Sequence, residues 1–133
     1  MTKEFTSRIE EARERKATLN CAQSVACTYC DLAGISEEDA TRICSGMGLG
    51  MGTMEGTCGA LLGAAVVLGG AIGDRNKSRI AVAQLMKEFG ERNGATICGQ
   101  LKGKGTGKVL RACPDCVADA AEFLESLLPT EEL

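Results

Sequence analysis

The segment that most limits the fold lies between Glu55 and Asp74: Thr57 to Gly73 contains no charged residue. It falls short of the roughly 20 apolar residues that a membrane-spanning helix requires, and it is crowded with Gly and Cys. A helix that is apolar nearly all round has to run through the middle of a domain, where each face meets another element. Gly59 and Gly63 stand four apart in it. That spacing lets helix backbones approach closely, in soluble bundles as well as in membranes. With no second hydrophobic stretch to pair with it, the segment is expected to be a buried core helix, without membrane association. The same glycine-rich helix could pack inside one chain or against a second copy, so a homodimer stays open.

The rest of the chain supplies helices to surround it. Lys3 to Ala17 is charged, with sparse apolar residues (Phe5, Ile9, Ala12), and reads as a solvated or loosely docked helix. Residues 1–19 are assigned to this N-terminal helix and residues 20–133 to the main body of one domain. Asn20 is placed to cap a second helix from Cys21 to about Leu32, whose apolar positions Ala22, Val25, Ala26, Tyr29 and Leu32 recur at helical spacing. Gly34 stops it. Ser36, with Asp39 three residues on and Glu37 and Glu38 at the positive end of the dipole, opens a third. From Gly46 to Gly52, glycines alternate with Met47, Leu49 and Met51, which favours a packed loop over a helix.

The central helix is drawn from Glu55 to Ile72. Asp74 or Ser78 caps a fifth, with the stripe Ile80, Val82, Leu85, Met86 and Phe89, and Asn93-Gly94 ends it. Thr96 to Leu101 is a short turn or helical fragment, and Lys102 to Lys108 is a loop. The last helix runs from Cys113-Pro114 to Leu128, where Pro129 terminates it. No stretch alternates as a strand would. The expected fold is all-α: a single-domain bundle of about five to six helices around a Gly/Ala-rich central helix.

Composition then narrows the chemistry. A chain of 133 residues can bury a core without disulfide staples. Its net charge of −3 carries no footprint for nucleic acid. Eight cysteines stand beside no histidine. The charged N-terminus is not a signal or transit peptide, so a cytoplasmic, reducing location is expected, with thiols kept for metal, redox work or packing. Without histidine, His-centred catalysis and mixed His/Cys zinc sites are excluded.

The cysteines divide by position. Cys21 lies on the buried face of its helix near Val25, Cys27 on the opposite side and Cys30 at the border, so this CxxC does not share one face. Cys44 belongs to an apolar stripe, and Cys27, Cys30 and Cys44 read most simply as packing. Cys58 and Cys113 sit near helix starts, where free N–H groups favour thiolate. The Cys27/Cys30 and Cys113/Cys116 pairs are too far apart for a compact zinc ribbon. They also lack the tight runs of ferredoxin-type iron–sulfur proteins, and no βαβ pattern supports a thioredoxin-like site. Gly103 to Lys108 imitates a phosphate loop, but Lys102 and Val109 occupy places that need Gly and Ser or Thr, so no nucleotide is expected. Met47, Met51 and Met54 are gap-fillers before they are soft metal ligands.

Asn20-Cys21-Ala22-Gln23, Cys58-Gly59-Ala60-Leu61-Leu62-Gly63, Cys98, and Cys113 followed by Val117-Ala118-Asp119-Ala120-Ala121 occur in this order. The chain thereby resembles the redox-active proteins named for the pattern C…GCAxxG…C…C, small helical proteins mainly of anaerobic prokaryotes. The resemblance spans about Asn20 to Leu128 and departs at one point: the motif has Gly before its second cysteine, whereas here Gly59 follows Cys58. One position turns a helical side chain by about 100°. Cys27, Cys30, Cys44 and Cys116 are extra to the pattern. The resemblance implies a redox role and a partner redox protein.

Three functions remain open. In the first, Cys21, Cys58, Cys98 and Cys113 converge at helix ends and bind an iron–sulfur cluster or another thiolate-bound metal for electron transfer. In the second, the same thiols cycle through disulfides without metal, with Cys113 attacking and Cys116 or Cys58 resolving. In the third, the chain is a helical interaction module and its thiols are packing.

Overall fold

The computed structural model of the chain describes residues 7–129. Among them nine helical segments follow one another with no β-strand: α1 (Arg8–Arg15), α2 (Cys21–Thr28), α3 (Cys30–Ala33), α4 (Glu37–Ile43), a wide π-type turn (Gly50–Met54), α5 (Gly59–Ile72), α6 (Arg75–Asn93), α7 (Cys98–Lys102) and α8 (Cys113–Leu127). The all-α expectation holds, but nine segments replace the five to six expected. Two short elements account for part of the excess: the Gly/Met run closes a turn, and the fragment after Thr96 is helical. The expected second helix is also cut in two at Tyr29, whose backbone leaves helical geometry (φ −114°, ψ 16°). That buried ring places its hydroxyl to donate to Glu125 on α8 at 2.5 Å.

Local signals set most boundaries. Asn20 and Gln23 form a reciprocal capping box at α2, and Ser36 accepts from the Asp39 N–H at α4. Asp74, rather than Ser78, caps α6, accepting from the Lys77 N–H. Gly34, Gly73 and Gly94 end α3, α5 and α6 in the left-handed conformation.

α5 lies against α2, α3, α6 and α8, as an uncharged helix must. Ala60, Leu61, Ala64, Val67 and Leu68 are buried there, each large side chain worth about 1.5–3 kcal/mol by area removed from water. Its contact with α2 is unusually close because two residues lack a Cβ. A methyl at Gly63 would collide with the Ala22 carbonyl oxygen, and one at Gly59 would lie 2.8 Å from the Met47 carbonyl oxygen and 3.2 Å from Cys21 Cβ.

Two expectations change at the periphery. α1 is docked rather than loose: Ala12 is buried, the helix packs on α8 and α2, and Arg8 pairs with Asp31 at 2.8 Å over the face of Tyr29. The Lys3–Thr6 part of that expected helix lies outside the described residues. On α6, Leu85 and Phe89 are buried and Val82 and Met86 pack against the core, but Ile80 is 62% exposed, so the stripe begins at Val82. No described helix is long and apolar enough to cross a membrane.

Candidate functional site

The expected start of the central helix at Glu55 is where the site is made. Residues 56–58 run extended instead and pair with 96–98. The Cys58 N–H donates to the Thr96 carbonyl (2.8 Å), the Cys98 N–H donates to the Gly56 carbonyl (3.0 Å), and Thr57 and Ile97 form an isolated antiparallel bridge. This short pairing sets Cys58 and Cys98 beside one another. Gly50 makes the approach possible: it adopts φ +57°, and a Cβ there would meet Cys98 Cβ at 2.6 Å.

Four helix starts then meet. Cys21 opens α2, Cys58 caps α5, Cys98 opens α7, and Cys113 opens α8 with Pro114 behind it. All four line one narrow, partly open cavity of about 20 Å³, together with Leu49, Leu101, Lys102, Arg111 and a fifth sulfur, Cys116. The space suits one water molecule and no organic substrate. Cys116 was the site residue that sequence reasoning treated as extra. Its signal was the three-residue spacing from Cys113, which on a helix puts both sulfurs on one side.

The sulfurs influence one another in two pairs, Cys21 with Cys113 and Cys58 with Cys116. The Cys116 thiol donates to the Arg111 carbonyl at 3.8 Å.

Within each pair one thiol is acidic. Cys113 is lowered to about 5, first by the Cys21 hydrogen bond and, against the cost of burial, by the charge and hydrogen bond of Lys102 and the charge of Lys16. Cys58 is lowered by Cys116 first, and burial opposes the shift. The Ala60 and Leu61 N–H groups at the start of α5 support it. Their partners move the other way: the same pairwise interaction raises Cys21 and Cys116, and burial adds to this. Burial raises Cys98, with Lys102 opposing. Lys102 is raised by the Cys113 thiolate despite its own desolvation.

Arg111 is fixed by a buried carboxylate. Asp119 accepts from it at 3.0 and 3.2 Å and from Arg92 at 3.2 Å, tying the chain before Cys113 to α8 itself.

The remaining cysteines belong elsewhere. Cys27 and Cys44 are buried with Ala22, Ala26 and Ala40, and Cys30 packs at the edge of this second apolar cluster, which α2 and α4 build on the far face of α2. Cys27 Sγ lies 3.2 Å from Thr41 Oγ1. That hydroxyl donates to the Glu37 carbonyl at 2.8 Å, and the Cys27 thiol reaches the same carbonyl at 3.8 Å. The face of Cys27 opposite the main core is therefore covered by α4.

The family described as "Putative redox-active protein (C_GCAxxG_C_C)" matches residues 19–127, which include all five sulfurs of the cavity. The chain belongs to this family. No curated protein matches the chain, and no solved structure matches it. The C_GCAxxG_C_C membership makes this a redox-family protein with a cysteine motif, and it holds although Gly59 follows Cys58. The sulfur still reaches the cavity because Cys58 caps the helix instead of lying within it.

A sulfur-only donor set has the chemistry for a soft ion such as zinc, copper(I) or iron. The arrangement differs from the chemistry: among the described residues no three His, Cys, Asp or Glu side chains are placed to hold one ion.

Proposed function

We propose that the protein is a dithiol–disulfide redox carrier, working through an outer pair, Cys113 and Cys21, and an inner pair, Cys58 and Cys116. The observation that carries this reading is the gathering of five sulfurs on one small cavity in matched pairs: in each, one thiol is shifted toward the thiolate and its partner toward the protonated form. This is the state from which one sulfur attacks and the other resolves.

The Cys113 thiolate attacks one sulfur of an incoming disulfide, forming a mixed disulfide and expelling a thiolate. That thiolate takes the Cys21 proton. Cys21 then attacks the Cys113 sulfur, forms the Cys21–Cys113 bond and expels the second thiolate. Two electrons and two protons have passed from the protein to the disulfide, counting the proton that Cys113 lost on ionising. The inner pair can reduce the outer one by the same exchange, ending as Cys58–Cys116. Lys102 holds the Cys113 charge before attack. Cys98 supplies a buried neighbouring thiol on the cavity wall.

A second reading, a thiolate-held metal or iron–sulfur centre on Cys21, Cys58, Cys98 and Cys113, is favoured by one observation: sulfurs from four separate helix starts ring a single small cavity. Such a centre would supply one-electron transfer to a partner redox protein.

Metal analysis and an absorption spectrum on protein purified without oxygen, followed by stepwise oxidation and mass mapping, separate the readings. The dithiol reading expects colourless, metal-free protein that loses thiols two at a time as Cys21–Cys113 and Cys58–Cys116. Stoichiometric iron or zinc shielding the four motif thiols refutes it and sustains the second. Thiols inert to both oxidant and alkylation would leave an interaction module.

A further inference from the structure

The sulfur cavity is too small to admit a substrate, so whatever meets Cys113 and Cys21 must sit outside it. One open groove adjoins it, and Cys21 is the sulfur that lines both. This groove has a volume of about 450 Å³ and shares Cys21, Leu49 and Lys102 with the cavity wall. Its volume lies in the range of small-molecule sites. Its charge is one-sided: Lys16 and Lys102 line it, Asn20 and Ser45 add polar groups, and no lining residue is acidic. Among the described residues neither lysine is paired with a carboxylate, and both direct their field at the Cys113–Cys21 pair. Leu49 stands between the two spaces, half-exposed and in a left-handed conformation (φ 52°), so a side chain that rarely adopts this geometry forms the threshold.

We infer that this groove binds a small anionic disulfide, whose carboxylates lie against Lys16 and Lys102 while its sulfur–sulfur bond meets the Cys21–Cys113 pair at the wall that Cys21 shares with the cavity. The inference rests on the dithiol reading and adds the substrate class. The balance is the one given above: protein dithiol and substrate disulfide become protein disulfide and two anionic thiols. Whole-molecule attraction does not supply the preference, because the chain carries a net −3. Selectivity for an anion has to come from the local lysines, which makes it testable by charge alone.

Reduced, oxygen-free protein is mixed with three small disulfides of similar size: dithiodiglycolate (dianionic), bis(2-hydroxyethyl) disulfide (neutral) and cystamine (dicationic). Formation of the Cys21–Cys113 bond is followed by mass mapping. The dianion should react on the order of tenfold faster than the neutral compound, with the dication slowest, and added salt should compress the order. Lys16→Gln should lower the dianion-to-neutral ratio about threefold, and Lys16→Arg should keep it. Independently of the reaction, adipate should slow alkylation of Cys113 by iodoacetamide, while the uncharged diol of the same length should not. If the disulfide forms but the neutral or cationic compound reacts as fast, the anion groove is wrong and the dithiol reading survives. If no compound oxidises the pair, the dithiol reading fails and the substrate assignment fails with it.

Discussion

The acidity of Cys113 is the property on which the chemistry turns, and Cys21→Ala tests its cause. A cysteine in a model peptide titrates near 8.5, whereas Cys113 is lowered to about 5. At pH 6 it is therefore about 90% thiolate, against roughly 0.3% for an ordinary cysteine, an advantage of about 300-fold in reactive form. Nucleophilicity falls with acidity, by about 40-fold over 3.5 units at a Brønsted slope near 0.45. The net is reaction about 7-fold faster than an ordinary cysteine at pH 6, but about 20-fold slower near pH 8.5. The signature is thus a rate that flattens above pH 6 while a free thiol is still gaining tenfold per unit. Cys21 provides the largest lowering contribution, so Cys21→Ala should move the inflexion upward by on the order of 1–2 units, and Lys102→Met by less. The assay is Cys113-specific alkylation with iodoacetamide across pH, read by peptide mass. An inflexion near 8.5 in the native protein, or one that Cys21→Ala leaves in place, would refute the hydrogen-bonded thiolate.

Other outcomes follow from the same geometry. Gly63→Ala should cost about 1–3 kcal/mol by overpacking α5 against the Ala22 carbonyl. Gly69→Ala, on the same helix with nothing near its added methyl, should be neutral or stabilise by up to about 1 kcal/mol in denaturant unfolding. Asp119→Ala removes a buried carboxylate from two half-exposed arginines and should cost about 1–3 kcal/mol. It should also raise Cys116 reactivity, as Arg111 loosens. Stability of the reduced protein should peak near pH 8–9. Lowered Cys113 and Cys58 contribute stability that is present above the unfolded pKa and lost as pH falls, for Cys113 through about 5; raised Cys21 and Cys116 contribute stability that is lost as pH climbs beyond the unfolded value. Thermal melts from pH 4 to about pH 10 check the sign on both sides. Cys27→Ser should cost stability in the second cluster and leave the Cys113 alkylation profile where it was.

Asn20 and Ser36 announced their helices, Asp74 did so as one of two candidates, and Gly34 and Gly94 announced ends, because a cap is a hydrogen bond or a backbone angle settled within four residues. The central place of α5 was equally legible, since a segment without charge has no face to give to water. The four motif cysteines could be named from residue order alone. What residue order could not supply was which sulfurs share a cavity. That depends on the 56–58 and 96–98 pairing, on Gly50 yielding space to Cys98, and on a tertiary approach that brings Cys21, Cys113 and Cys116 to the same wall as Cys58. The same limit explains Cys27, outward on its own helix yet covered by α4. Local sequence governs backbone hydrogen bonds closed over a few residues; the meeting of thiols about forty to ninety residues apart is decided only when the helices pack, because only packing brings distant side chains within reach of one another.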